Sequence, residues 1–439
     1  MAGQIKKMLD QVIESRSQGD PFLARLTRTK LILKGFNPEK YGVNSEDDPL
    51  VLKQIRQIAE EMGLQNLQIR EATIKPAYST EPSPRKNVAD LAAQFSGLSP
   101  RFIIFFASSS FEPVALGAAM QLQFPMADII GCTTAGELVN EKVLRNSVVA
   151  MAFDAKALED VAIGVVQNLR TENQVPQVFT TFERHTGHKM MDLDTNRYVG
   201  LILIDGLSGA EEKVMEKIGD LTNVLFVGGS AADDMKLKTT YVFANGKAYP
   251  NAAVLALLKP RTGFEVVKTQ SFCAVETVLK ATRVNEAERI VYEFDGKPAR
   301  DMYAKAVGLP IEKATSKFMD QPFGLMVEDE PFVRGLREFR DDALVFFCNI
   351  KEGAELNLLR PTNIVEDTRA VVEAQKKQLG TISGLIHFNC CFRALQLEQW
   401  GQWEEYGKLF AGIPTVGFST YGEQYVGHIN QTSTMLIFT

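Results

Sequence analysis

The stretch "IPTVGFSTYGEQ" (Ile413–Gln424) repeats a pattern already present in "MADIIGCTTAGEL" (Met126–Leu138). Both write Gly, any residue, Ser or Thr, Thr, any residue, Gly, Glu. Gly131, Thr133, Thr134, Gly136 and Glu137 match Gly417, Ser419, Thr420, Gly422 and Glu423 residue for residue. A pattern kept over this spacing, each time after an apolar run of strand character, marks a repeated structural unit.

Working outward from the first copy, "RFIIFFASSS" reads as a buried strand, "FEPVALGAAMQLQF" as a helix, "ADIIGCTTAGE" as a strand ending in the motif, and "NSVVAMAF" as a further strand. The order recurs in "YVGLILIDG", "SGAEEKVMEKIGDL", "NVLFVGGSAADD" and "NAAVLALL", and again in "GLIHFNCCFR", "LEQWGQWEEYGKLF", "TVGFSTYGE" and "NQTSTMLIF". Three copies of strand, helix, strand, small-residue loop, strand result, each last strand opening with an asparagine (Asn146, Asn251, Asn430). The second helix is expected to start on a capping box, Ser208 with Glu211, and to turn Val214, Ile218 and Leu221 to one face. A fourth, degraded copy is expected to begin at "ALVFFCNI" (Ala343 to Ile350), with "EDTRAVVEAQKKQLG" as its helix. That helix has its acids first, lysines in its last turn and Gly380 after it.

The fold class expected is mixed α/β: two related modules of sheets packed with helices, preceded by a helical N-terminal extension. The boundaries drawn are 1–85 for the helical extension and linker, 86–262 for the first module and 263–439 for the second. In the extension, Pro49 opens a helix with Leu52, Ile55 and Ile58 on one face and Gly63 as its stop. "LARLTRTKLILKGFNPEKYG" is locally basic, and "YSTEPSPRKN" (Tyr78 to Asn87) reads as a linker or domain entry. The extension, residues 1–70, reads as a solvated helical cap packed on the first module or as a docking or dimerisation arm.

The 439 residues, 45% hydrophobic and 23% charged, exclude wholesale disorder, and no apolar run is long enough for a membrane helix. A net charge of -6 gives no basic field for nucleic acid. The first residues lack the apolar core of a secretory signal, so a cytoplasmic protein is expected. Five scattered cysteines and four histidines, with no C-x-x-C, predict neither a disulfide framework nor a metal centre.

Two constellations stand out. The strand-end loops combine glycines, which allow close approach, with hydroxyls and backbone donors; they could frame a pocket for a small polar molecule, or be tight turns whose glutamate caps backbone donors. The second is "HFNCCFRALQ", with His387, Asn389, Cys390, Cys391 and Arg393. Strand alternation puts His387, Asn389 and Cys391 on one face and Phe388 and Cys390 on the other. Three chemistries are open there: a cysteine nucleophile with His387 as base, which would make a cysteine-dependent hydrolase; a haem ligand, His387 or else His428 or Cys390; and capture of a small anion by Arg393. No phosphate loop is present, and "VGGSAADD" lacks the order of a dinucleotide fingerprint.

The blocks "AYSTEPSP", "FFASSSF", "IIGCTTAGEL" and "LFVGGSAADD", followed by "RIVYEFDGKPARDMY", "LIHFNCCFR" and "PTVGFSTYGEQYVGHINQTSTMLIF", resemble the paired FIST N and FIST C domains of microbial signalling proteins over residues 71–439. The resemblance implies a non-enzymatic intracellular sensor of small ligands, amino acids or other small anionic metabolites. It further implies output in trans to a histidine kinase, a cyclic-di-GMP enzyme or a chemoreceptor. Some members of the family bind haem and report nitric oxide. The positions carried over are Gly131, Thr133 and Glu137 in the first module and Cys390, Arg393, Gly417, Glu423, Asn430 and Thr432 in the second; Asn389, Ser419 and Thr420 beside them complete the expected ligand site. The family's run after the cysteine is Asn-Gly-Arg-Gly, whereas Cys391, Phe392 and Ala394 stand here, which predicts a stiffer, bulkier loop and an altered or smaller ligand.

Overall fold

The computed structural model describes residues 4–17, 20–42, 47–64 and 72–439. The chain divides after Ala72 into two compact units. The first holds α1 (Gln4–Ser17), α2 (Pro21–Leu33) and α3 (Pro49–Glu61). Asp20 and Asp48 begin the latter two, their side chains accepting the N–H of Phe22 and of Leu50, with proline in the first turn of each. Met8, Val12, Leu31, Leu52, Ile55 and Ile58 meet in one core, and Gly63 ends α3 at φ +85°. The helix expected from Pro49 is therefore present with its expected inner face.

The second unit is written three times. The first copy runs β1 (Ile74–Ser79), α4 (Pro84–Gln94), β2 (Phe102–Ser108), α5 (Pro113–Gln123), β3 (Asp128–Thr134), the hairpin β4 (Glu137–Val139) with β5 (Lys142–Leu144), and β6 (Val148–Phe153). The second runs β7 (Leu158–Gln167), α6 (Val175–Thr186), β8 (Val199–Asp205), α7 (Glu211–Leu221), β9 (Phe226–Ala231), the hairpin β10 (Val242–Ala244) with β11 (Lys247–Tyr249), and β12 (Ala252–Pro260). The third opens with β13 (Phe264–Gln270) and is then interrupted. The insert consists of β14 (Phe272–Asn285), β15 (Ile290–Phe294), β16 (Lys297–Pro298), α8 (Ala299–Ala306), α9 (Ile311–Ala314), β17 (Phe323–Val327), β18 (Glu330–Arg334), β19 (Leu336–Arg340), β20 (Ala343–Phe346) and β21 (Glu355–Pro361). The third copy resumes with α10 (Ile364–Leu379), β22 (Gly384–Cys390), α11 (Cys391–Gln399), α12 (Trp403–Lys408), β23 (Thr415–Thr420), the hairpin β24 (Glu423–Tyr425) with β25 (Gly427–Ile429), and β26 (Thr432–Phe438).

Within each copy the two central strands run parallel, and the last strand lies antiparallel between the first two. The hairpin leaves home. β4 adds to β23 of the third copy, β10 to β3 of the first and β24 to β9 of the second. Three six-stranded sheets are thus closed by a ring of exchanges. Their inner faces, including Ile104 and Phe106, Leu201 and Leu203, Ile386 and Phe388, share one core. Outward residues of the same strands pack under α4 and α5, under α6 and α7, and under α10 and α12. Cover on both faces is why these strands read as unbroken apolar runs.

The architecture is the mixed α/β one expected, with four differences of detail. No fourth copy begins at Ala343. β20 belongs to the insert's own eight-stranded sheet, and "EDTRAVVEAQKKQLG" is α10 of the third copy, in the place of α4 and α6. Ser208 makes no capping box, since α7 begins after Ala210 and the Ser208 hydroxyl donates to the Asp205 carbonyl. "YSTEPSPRKN" supplies the end of β1 and the start of α4. The "LEQWGQWEEYGKLF" helix breaks in two at Gly401, φ +65°.

Candidate functional site

The repeated motif closes the ring. Thr133, Ser230 and Ser419 occupy equivalent places at the ends of β3, β9 and β23, and each bonds through its backbone to the loop of the next copy. The Thr133 N–H donates to the Tyr241 carbonyl (3.0 Å), that of Ser230 to Gly422 (2.8 Å) and that of Ser419 to Gly136 (2.8 Å). Their carbonyls accept from Ala232 (2.9 Å), Tyr421 (3.2 Å) and Ala135 (3.1 Å) in the same order. The glycines explain themselves by register. Gly131, Gly228 and Gly417 face Phe105, Ile202 and His387 on the neighbouring strand, and a Cβ would lie 2.5, 1.7 and 2.2 Å from those carbonyl oxygens.

The motif glutamates lock the last strand to the hairpin. Glu137 accepts from the Thr134 hydroxyl, from the Ser147 N–H (3.2 Å) and from the Ser147 hydroxyl (2.6 Å). Glu423 accepts in the same way from Thr420, the Thr432 N–H (3.1 Å) and the Thr432 hydroxyl (2.6 Å). Both side chains are fully buried. Burial pushes the Glu137 carboxyl up to about 7, against its hydrogen bonds from Ser147 and Thr134; burial, with the Cys390 thiol nearby, raises Glu423 well above the usual carboxylate range. The second copy moves the carboxylate onto β8: Asp205 accepts from the Thr240 hydroxyl and from the N–H groups of Leu207 and Asn251. The residue that turns into the last strand is Asn146, Asn251 and Gln431, all at positive φ. Asn430 sits one place earlier, and its side-chain Oδ1 accepts from the Gly335 N–H of the insert (3.4 Å).

Of the "HFNCCFR" residues, His387, Asn389 and Arg393 form a separate cluster between the third sheet and its helices. Arg393 is 1% exposed. Its guanidinium donates to Asn389 (3.2 Å), Ser271 (3.1 Å), Thr368 (3.0 Å) and Thr269 (3.4 Å), tying α11 to β22, β13 and α10. His387 Nε2 lies 2.6 Å from the Ser433 hydroxyl and 3.2 Å from that of Tyr406, with the Phe410 ring 5.0 Å away between centroids. Burial, then the Arg393 charge, pull its pKa down to about 3, so the ring is neutral. Enclosed on these sides and wholly buried, His387 does not fit the open face that a porphyrin requires. Cys390 turns to the other side of β22, among Ala135, Ala232 and Cys391, and burial raises its thiol far above the range of a nucleophile. His387 and Cys390 therefore form no base–nucleophile pair. Cys391 opens α11 and does not continue the strand's alternation.

An open concavity lies elsewhere, in a cleft of about 370 Å³ between the insert, α7 and the β24–β25 hairpin. Leu325, Phe332, Ile350, Leu356 and Ile429 give it apolar walls. Glu212 on its wall is held by Arg289 (2.6 Å) and by the Asn349 N–H (2.7 Å). Arg334 donates to the His428 carbonyl (3.1 Å), and Glu216 and Lys351, 3.5 Å apart, stand exposed at the mouth. Burial lowers the pKa of His428. None of these cleft residues stood out in the sequence except His428, because Arg334 and Lys351 sit on the insert, where no repeat flags them. Among the described residues no three His, Cys, Asp or Glu side chains converge as a metal site.

This architecture has a family. Residues 101–297 match the FIST N domain and residues 299–426 the FIST C domain. The chain belongs to the FIST family. FIST domains are sensory modules of signal transduction. A protein of Methanocaldococcus jannaschii described as uncharacterized protein MJ1623 is similar to the chain, 22% identical over 291 residues. The aligned stretch covers 62% of this chain and 56% of that protein, little more than half its length. The FIST N match ends within β16 and the FIST C match within the β24–β25 hairpin. The two FIST matches therefore divide the chain inside the insert and cut across the three copies of the fold.

Proposed function

We propose that this FIST protein senses a small amphoteric molecule, of the size and charge pattern of an amino acid, in the cleft beside the insert, and passes the signal to a separate protein. The observation that carries the reading is the cleft itself. Its volume suits a small ligand, its walls are apolar, and charges of both signs stand at its edge. Arg334 and Lys351 suit a carboxylate, and Glu216 an ammonium group. The β24–β25 hairpin that forms one wall is also part of the second copy's sheet, so a ligand pressing on it acts on the three-sheet body. The Arg393 cluster supports a structural role, because its guanidinium is already spent on four side chains. The cytoplasm is the compartment proposed. Five unpaired cysteines support it; separately, no helix among the described residues is long and apolar enough to cross a membrane.

Isothermal titration of the full chain with the common amino acids tests the reading. One chemical group of them is expected to bind, with Arg334→Ala weakening it about tenfold or more and Arg145→Ala, on an exposed surface pair, leaving it unchanged. Binding that ignores Arg334, or no binding by any of them, would sink the proposal.

A further inference from the structure

Helix α2 carries two apolar stripes and buries only one. Ala24, Thr27 and Leu31 turn into the three-helix core. On the opposite side Phe22, Leu26, Thr29 and Leu33 recur at steps of four, three and four, the seam spacing of paired helices. Phe22 is 72%, Leu26 41% and Leu33 80% exposed, and Thr29 between them is exposed too. Arg25 flanks the seam on one side and Lys30 on the other, both exposed. The helix holds three cations and no acid, in a chain whose net charge is -6.

The charge decides the occupant. A second copy meeting this face about a twofold axis would set the Arg25 and Lys30 of one α2 against those of the other, like charge against like. We propose that α2 is the docking face for an amphipathic helix of a separate protein, apolar along its own seam and lined by carboxylates that meet Arg25 and Lys30. In that contact the apolar seam gives affinity and the flanking charges give register. It does not depend on the cleft, so either reading can fail without the other.

The test is fluorescence anisotropy of a labelled peptide of about four heptads with leucine at the seam and glutamate at the flanks, titrated with the full chain. A twin peptide with lysine flanks is the control. The glutamate peptide is expected to bind, the lysine twin about tenfold or more weakly, and salt to weaken the complex. Leu33→Glu, and separately the double change Arg25→Glu with Lys30→Glu, are each expected to cost about tenfold or more in affinity. All three positions are exposed, so circular dichroism should be unchanged in both variants. Equal affinity for the two peptides, no binding of the glutamate peptide, or variants that bind as the parent does would each overturn the proposal. So would sedimentation showing a dimer that Leu33→Glu abolishes, which would name a second copy. Loss by Leu33→Glu of binding to phosphatidylglycerol vesicles, with the peptide ignored, would name a lipid surface instead.

Discussion

Glu137 is held by a threonine, a serine and a backbone N–H at a fully buried place, so its ionisation is linked to folding. Its folded pKa is raised to about 7 from an ordinary 4.5. The linked stability is therefore fully present below about pH 4.5 and lost as pH rises through about 7, a term of about 3 kcal/mol. Denaturation midpoints taken across that window should fall with pH in the parent and fall less steeply in Glu137→Gln, which keeps the shape but cannot ionise. Glu423, raised by the same cause, supplies a second such term. Gly228 sets a different limit: its missing Cβ would stand 1.7 Å from the Ile202 carbonyl, so Gly228→Ala should cost about 3 kcal/mol or prevent folding, read by urea titration. Arg393→Ala should cost a similar amount, about 3 kcal/mol, by releasing four bonds at once, and should leave cleft binding intact in the folded fraction.

The hairpins are the elements that make three sheets into one body. Leu138 on β4 pairs with Gly417 on β23, far along the chain, so Leu138→Ala should loosen β23 more than β3. Hydrogen exchange by mass spectrometry checks this: faster exchange in 415–420 is the expected result, and a change confined to 128–134 would contradict it. The sequence left the motif open as a loop framing a ligand pocket or as a turn whose glutamate caps backbone donors, and the Ser147 and Thr432 N–H groups are donors of the second kind. Its partners were not legible, since strand exchange leaves no local mark: β4 looks the same whichever edge it joins. The interruption of the third copy was hidden for a related reason. The insert's "ALVFFCNI" is an unbroken apolar run like the strands of the repeat, and only pairing assigns β20 to another sheet. The cleft residues escaped for want of any spacing, as Glu212, Arg334 and Lys351 meet only when α7 and the insert do.

At the scale of the whole molecule, the FIST N and FIST C matches should not be separable. A chain cut at residue 297 would leave β9 without β24 and strand β4 without β23. It should be insoluble or lack a cooperative thermal transition, whereas residues 73–439, a compact unit by themselves, should melt cooperatively; calorimetry of the two fragments distinguishes these outcomes. The same ring governs what a ribosome must manage. β3 can receive its ribbon as soon as residues 242–249 emerge, but β9 keeps a bare edge until residues 423–429 have been made. Through translation of the entire insert the nascent chain carries one vacant edge and one homeless ribbon, β4–β5, each a template for a wrong partner on a neighbouring polysome. Both hazards end only when residues 415–429 have been made and β23 and β24 take their places.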